Sequence, residues 1–434
     1  MKILFWDGWM GGIHNFLPLH KTLQDSGVES LLVHRGSWGA DPDRPKEEVV
    51  DGMLCRELRY YRTNNFYKVL RQEQPDAIVI LTTTYIADRA VILAARALGI
   101  KSFYLMCGVL ETGDETVELQ SLSNPALLAA RWKNAAKYLR YTLPNYFYSG
   151  IRNDISFPFR LSPYALIWNT FRNPARYLYH PPPSSEIHCD HALVWANVYA
   201  DHLHDAWGYP HDRIDVVGHP PLDAVLRVKK QPQLSLERES LLRSLDLSPE
   251  TSFVVFLESP FVEQHMGGWT DELRKTYYQE IADSCAAAGR QLVLKLHPCS
   301  SFKSPEFLRM NPNARVVGDC QLAELVCAAE SVVGFSSTTL NIPIMLDIPV
   351  FRPCWGAWRN TPDYFSKHGV IRDVQSPQHL SEALQHPAAH RVPRDKLQAY
   401  IERYITKVDG SSIHRITDRL LACVLERAEV RKAA

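Results

Sequence analysis

Short apolar runs and amphipathic stretches alternate through the first hundred residues. Ile3–Trp6, Ser30–His34, Ala77–Thr82 and Lys101–Met106 are rich in Val, Ile, Leu and Phe and predict strands, whereas Asn15–Ser26, Asn65–Gln74 and Ala87–Leu98 carry helical spacing. The same logic returns later. Phe253–Leu257, Gln291–Leu296, Ala314–Val317, Ser331–Gly334 and Val350–Arg352 predict strands, with helices over Thr270–Ala288 and Leu322–Ala329. Near-continuous apolar strands separated by helices mean parallel sheets covered on both faces, so the pattern predicts an α/β protein of two doubly wound, Rossmann-like domains. Such domains bind ligands outside the carboxyl ends of their strands. The predicted division is a front domain over 1–225, a rear domain over 226–410 with Lys229–Gln233 read as a linker, and a helix from Ser411 that packs back on the front domain.

Composition narrows the function. The 434 residues are 46% hydrophobic and 22% charged, ordinary values for folded domains, and 48 basic residues balance 48 acidic ones, which gives no global pull toward nucleic acid. No run reaches the roughly 20 apolar residues that span a bilayer, and Lys2–Trp6 reads as the first strand of a domain rather than as a leader. Nine cysteines at irregular spacing, without a Cys-x-x-Cys pair, predict reduced thiols and a cytoplasmic protein.

Residues 125–183 depart from this background. Arg131, Lys133, Lys137, Arg140, Arg152, Arg160, Arg172 and Arg176 stand against a single acid, Asp154, and are interleaved with Trp132, Tyr138, Tyr141, Phe147, Trp168 and other aromatics. Basic and amphipathic aromatic side chains suit the boundary between anionic headgroups and acyl chains, which predicts a helical insert that touches the inner membrane face; a helical insert or oligomer contact with an aromatic core is the competing reading.

The chemistry-bearing residues fall at predicted strand ends. The loop Asp7-Gly8-Trp9-Met10-Gly11-Gly12 joins the first strand to the first helix; Gly11 and Gly12 would let the backbone approach a ligand, although neither a Rossmann fingerprint nor a P-loop is present. In the rear half, Lys295-Leu296-His297-Pro298 ends one strand and Gly334-Phe335-Ser336-Ser337-Thr338 ends another. An imidazole and hydroxyls from neighbouring strand ends of one sheet can stabilise charge on a departing phosphate without a metal. The competing readings are a His held by a carbonyl and a Ser pair that only caps a helix. His188, Cys189, Asp190, His191, His202, His204 and His211 form a His-rich stretch, but without a recognisable zinc frame no metal is expected. His219, beside Pro220, is expected to approach the cleft.

The Lys-Leu-His-Pro and Gly-Phe-Ser-Ser-Thr-Thr segments resemble the His-Pro and Ser-Ser motifs of GT-B-fold bacterial surface-polysaccharide glycosyltransferases that use cytidine-activated donors, including sialyl- and Kdo-transferases and the related CDP-glycerol glycerophosphotransferases. Ile214-Asp215-Val216-Val217-Gly218-His219-Pro220-Pro221-Leu222-Asp223 and Asp409-Gly410-Ser411-Ser412 are similar to their interdomain passage and C-terminal end. The resemblance implies a GT-B arrangement of two facing domains, donor phosphate bound by His297, Ser336 and Ser337, and a nucleotide pocket lined by the Glu258-Ser259-Pro260 turn. The acidic motif that carries the base in related sialyltransferases is absent, which leaves Asp7, Glu111 and Asp114 as candidates.

The expected activity is metal-independent transfer of a sugar, such as Kdo or another CMP-linked ulosonic acid, to a surface-glycan or lipid-linked acceptor, with no cofactor beyond the nucleotide-sugar substrate. An isomerase resembling UDP-N-acetylglucosamine 2-epimerases, a CDP-glycerol-type phosphotransferase and a non-catalytic membrane-bound assembly partner are the alternatives.

Overall fold

The structure, a computed structural model, describes residues 1–35, 44–83, 86–108, 187–230, 236–248, 250–263, 269–298, 300–318, 320–335, 337–360 and 364–433. Two units emerge. One is formed by the chain up to Gly108, the segment ending at Gly218, and Ser411–Ala434; His219–Gly410 lies in the other.

The front unit is built on β1 (Lys2–Asp7), β2 (Glu29–His34), β3 (Glu47–Val50), β4 (Met53–Glu57), β5 (Ala77–Ile80), β6 (Lys101–Leu105), β7 (His191–Val194) and β8 (Ile214–Val216). These form one sheet in the order β3-β4-β2-β1-β5-β6-β7-β8, parallel except for the β3–β4 hairpin. The hairpin was not anticipated from the apolar pattern because β3 is a half-exposed edge strand that carries Glu47 and Glu48. Its turn uses Asp51 and Gly52, both with positive φ, of 48° and 86°.

Helices α1 (Ile13–Asp25), α2 (Phe66–Glu73), α3 (Ile86–Ala97) and α4 (Asn197–Trp207) accompany this sheet. Asn65 caps α2 by accepting from the Lys68 N–H at 3.4 Å, the role expected of a short polar side chain before an apolar helical face.

The rear sheet contains β9 (Phe253–Leu257), β10 (Gln291–Lys295), β11 (Ala314–Val317), β12 (Ser331–Val333), β13 (Val350–Pro353) and β14 (Arg372–Val374), all parallel, in the order β11-β10-β9-β12-β13-β14. Alternation along β9 explains its all-apolar sequence. Phe253, Val255 and Leu257 enter the core on one face, and Val254 and Phe256 the core on the other, so every position is buried.

Around the rear sheet run α5 (Pro220–Lys230), α6 (Leu236–Ser244), α7 (Asp271–Ala287), α8 (Ser304–Met310), α9 (Leu322–Ala328), α10 (Asn341–Met345), α11 (Pro377–Gln385) and α12 (Arg394–Tyr404). Leu222, Val225 and Val228 of α5 pack into the core with Phe253 and Val255, so the chain enters the rear unit at His219, ahead of the Lys229–Gln233 segment read as a linker. Lys229 and Lys230 end α5, and 231–235 lie outside the described residues.

The chain ends in α13 (Ser412–Ala433), which returns to the front unit: Ile416, Leu420, Cys423 and Val424 share a core with Ile3, Phe5 and Phe16. Polar ties reinforce it, with the Arg415 Nε donating to the Val217 carbonyl and the Arg419 Nε to Asp215, both at 2.8 Å. Among the described residues no helix is long and apolar enough to cross a membrane. The 125–183 insert lies outside the described residues.

Candidate active site

In the rear sheet β9, β10 and β11 build outward in one direction and β12, β13 and β14 in the other, so the connections reverse between β9 and β12. A crevice at the carboxyl ends of these two strands is where a doubly wound sheet binds its ligand. The strand order corrects one expectation. The His297 and Ser337 strand ends are not adjacent, because β9 lies between β10 and β12. The residue closing that gap is Glu258, which directly follows β9.

Glu258 is 4% exposed and saturated with donors. Its Oε2 accepts from the backbone N–H of His297, and its Oε1 from the hydroxyls of Tyr278 and Ser300, each at 2.8 Å; the Arg274 guanidinium lies 3.7 Å away. Burial raises the Glu258 pKa, and the three hydrogen bonds and Arg274 oppose that rise. Arg274 also binds Glu263 at 2.8 Å, and Glu263 accepts from the Ser301 N–H at 2.7 Å. The two turns at 258–263 and 297–301 are thereby locked together. Glu258 thus braces the His-Pro turn with both of its oxygens already engaged. Ser259 is half-buried at the same strand end, beside Phe256, Phe335 and Trp358.

His297 is itself half-buried, and its pKa is pushed down to about 4, first by burial and then by Lys295. At neutral pH its ring is uncharged. The nearby positive charge belongs to Lys295, whose Nζ donates to the Leu296 carbonyl at 2.7 Å. Pro298 is exposed and ends the strand direction, as its missing N–H requires.

Ser337 caps the short 3-10 turn Thr338–Leu340. Its Oγ accepts from the Thr339 N–H and lies 2.7 Å from the Thr339 hydroxyl, with Thr338 half-buried beside it. The capping role and a ligand role are compatible here, since an N-cap leaves further N–H groups of the turn directed outward. Ser336 lies outside the described residues.

The front sheet reverses between β1 and β5, and Asp7 stands at the carboxyl end of β1. It is 8% exposed, and its Oδ2 has no hydrogen-bond partner among the described residues. Its pKa is pushed up to about 8 by burial and by Asp88, against the N–H groups of Gly8 and Trp9 and the charge of Arg35. A Cβ on Gly12 would sit 1.5 Å from Asp7 Oδ2, so a side chain there would displace the carboxylate. A Cβ on Gly11 would meet the Trp9 ring at 2.2 Å. Both glycines therefore make room for neighbouring side chains of the same loop. Glu111 and Asp114 lie outside the described residues.

His219 opens the rear unit. It is 6% exposed, and burial pushes its pKa down to about 3, so it is neutral and interior rather than open to a cleft. The other histidines are used locally. His188 Nδ1 contacts the Cys189 carbonyl and His204 Nδ1 the Tyr209 carbonyl, each at 2.8 Å; His204 stacks on His211, and His191 lies 3.1 Å from Arg419. Among the described residues no group of three or more His, Cys, Asp or Glu gathers as a metal site would require.

Asp88 was not anticipated as a site residue. A lone acid in the first turn of the very apolar helix α3, following a strand that pairs with β1, was the available signal.

No protein-family model and no curated protein matches the chain. Solved structures do. An H444N variant of the wall teichoic acid polymerase TagF soaked with CDPG superposes with a TM-score of 0.56 at 13% identity, covering 99% of this chain and 90% of that one. UDP-GlcNAc 2-epimerase from Neisseria meningitidis, bound to UDP-GlcNAc, gives 0.54 at 13% identity over 97% of this chain and 100% of that one. The epimerase from Methanocaldococcus jannaschii, in complex with UDP-GlcNAc and UDP, gives 0.53 at 15% identity with the same coverage. The fold is of the GT-B type. Within the GT-B fold the rear switch point of this chain carries His297, Lys295, Ser337 and Thr338, and the front one carries Asp7.

Proposed function

We propose that this protein is a glycosyltransferase that moves a sugar from a cytidine-nucleotide donor to a surface-glycan or lipid-linked acceptor without a metal. The observation that carries the reading is the rear switch point, where the turn bearing His297 is braced by Glu258 and the Ser337 turn flanks the other side of β9. A braced turn holds its donors in place before the ligand arrives, which is the condition for electrostatic stabilisation of a leaving phosphate. The neutral His297 ring donates a hydrogen bond to a phosphate oxygen, Lys295 contributes charge, and Ser336, Ser337 and Thr338 supply hydroxyl and N–H groups. Bringing a phosphate close raises the imidazole's proton affinity, so the ring gains a proton as negative charge accumulates. The acceptor's proton goes to a front-unit carboxylate, with Asp7, Glu111 and Asp114 as candidates. The 125–183 insert brings the acceptor from the membrane face, and the protein works in the cytoplasm.

The cytidine preference is supported by the motif resemblance and by a structural neighbour soaked with CDPG; a CMP-linked ulosonic acid such as Kdo is proposed as the donor on the motif resemblance alone. The neighbours bound to UDP-GlcNAc favour a second reading, an epimerase that needs no acceptor. Calorimetry with CMP, CDP, UDP and GDP, with and without EDTA, separates the two. Tight CMP or CDP binding that survives EDTA, and is lost in His297→Ala, is expected. Preference for UDP, together with an epimer formed from UDP-N-acetylglucosamine alone, overturns the transferase reading.

A further inference from the structure

Asp7 at the front switch point has a carboxylate oxygen, Oδ2, without a hydrogen bond among the described residues; so has Glu263 in the rear turn, but its other oxygen is held by Arg274 and the Ser301 N–H. Nine-tenths of Asp7 is buried, and its Oδ2 occupies the space that a side chain on residue 12 would fill and that Gly12 leaves to it. A buried polar atom without a partner is costly, and such costs persist where a ligand supplies the partner. Nearby stands a second acid. Asp88 of α3 accepts from the Trp6 indole Nε1 at 2.8 Å and from the Thr82 hydroxyl, one donor on β1 and one following β5. These two contacts fix Asp88 across the β1–β5 reversal, where it acts on Asp7 as a like charge.

We propose that Asp7 and Asp88 form a coupled acid pair at the front switch point, in which Asp7 takes the proton of an acceptor hydroxyl and Asp88 is a positioning residue that tunes Asp7. This rests on the transferase reading above. In the step, the acceptor oxygen bonds to the anomeric carbon and its proton passes to Asp7 Oδ2. The bond between that carbon and the donor phosphate oxygen breaks, and its electron pair leaves with the nucleotide. Asp7 must be ionised to accept the proton.

The groups that face it are Asp88 from α3, Arg35 following β2, and Cys107 following β6, whose thiol burial pushes up to about 12 and keeps neutral. Arg35 opposes Asp88, and burial with Asp88 prevails. A base that titrates near the working pH combines useful basicity with adequate ionised population, which a surface aspartate does not.

The first readout needs no donor. Infrared difference spectra of the full chain, recorded against pH and referenced to Asp7→Asn, are expected to show one carboxyl losing its proton near pH 8. In Asp88→Asn the midpoint moves down by at least one pH unit, and the rising limb of kcat/KM moves with it. A referenced carboxyl that titrates near pH 4 in the wild type overturns the pair, whether or not Asp88→Asn folds. A midpoint unmoved by Asp88→Asn removes the tuning role. The transferase reading fails separately, if no nucleotide sugar is turned over while the infrared titration stands as expected.

Discussion

The two sheets place an acid at the carboxyl end of the first strand of each unit, and the two acids are treated in opposite ways. Glu258 follows β9 and Asp7 ends β1, each at a reversal of strand order, each nearly inaccessible to solvent and each raised by burial. Glu258 receives three hydrogen bonds and an arginine. The Gly8 and Trp9 N–H groups only partly offset the rise at Asp7, whose Oδ2 has no partner among the described residues and which has a second carboxylate nearby. Burial alone therefore does not mark a chemical group. The satisfied acid is a brace that shapes a turn, and the unsatisfied one has its pKa pushed up to about 8 by burial and a neighbouring carboxylate.

Removing the brace has the largest expected effect. Glu258→Ala strands the Tyr278 hydroxyl, Ser300 and the His297 N–H and leaves Arg274 short of one partner, a loss of about 4 kcal/mol in the unfolding of the rear unit. Glu258→Gln keeps one acceptor oxygen and costs less. Denaturant unfolding followed by rear-unit tryptophans checks both, and a loss under about 1 kcal/mol for Glu258→Ala would mean that the hydrogen bonds do not hold the turn.

The next effect belongs to the front loop. Gly12→Ala forces a methyl group into the space of Asp7 Oδ2 and is expected to cost about 3 kcal/mol. The same substitution in an Asp7→Ala background has only a methyl to meet, and its cost falls below about 1 kcal/mol. Equal costs in the two backgrounds would show that residue 12 is constrained by its backbone rather than by Asp7.

How much of this contrast the sequence disclosed follows from how local each signal is. β9 could be read end to end because both of its faces are buried and every residue is apolar. The His297 turn was legible because Pro298 marks the strand end. The β3–β4 hairpin carries an Asp51-Gly52 turn that could have been recognised, but its exposed edge strand lacks an apolar run. Strand order was not legible, since the placement of β9 between β10 and β12 is decided by pairing between distant segments. For the same reason the bracing role of Glu258 was not legible. Its partners lie 20, 39 and 42 positions away, on α7 and after β10. Asp88 was hidden more deeply, because it meets Trp6 across 82 positions of chain.

The subtlest prediction follows from proton linkage at Asp7. An aspartate in the unfolded chain titrates near its ordinary value of 3.8, whereas in the folded protein it does so near 8. Between those values the folded state holds a proton that the unfolded state has released, so the stability linked to Asp7 is complete below about pH 4 and declines until about pH 8. Above that the group is ionised in both states, and no further loss accrues. Asp7→Asn removes this dependence while preserving shape. The stability of the variant relative to wild type is therefore expected to rise by about 2 kcal/mol between pH 6 and pH 8, and then to level off. Parallel denaturant titrations at those two pH values isolate the group, because the histidines and other titrating residues are common to both proteins. A difference that stays constant between pH 6 and pH 8 would place the Asp7 proton off the folded chain by pH 6, and the contrast with Glu258 would then lie in hydrogen bonding alone.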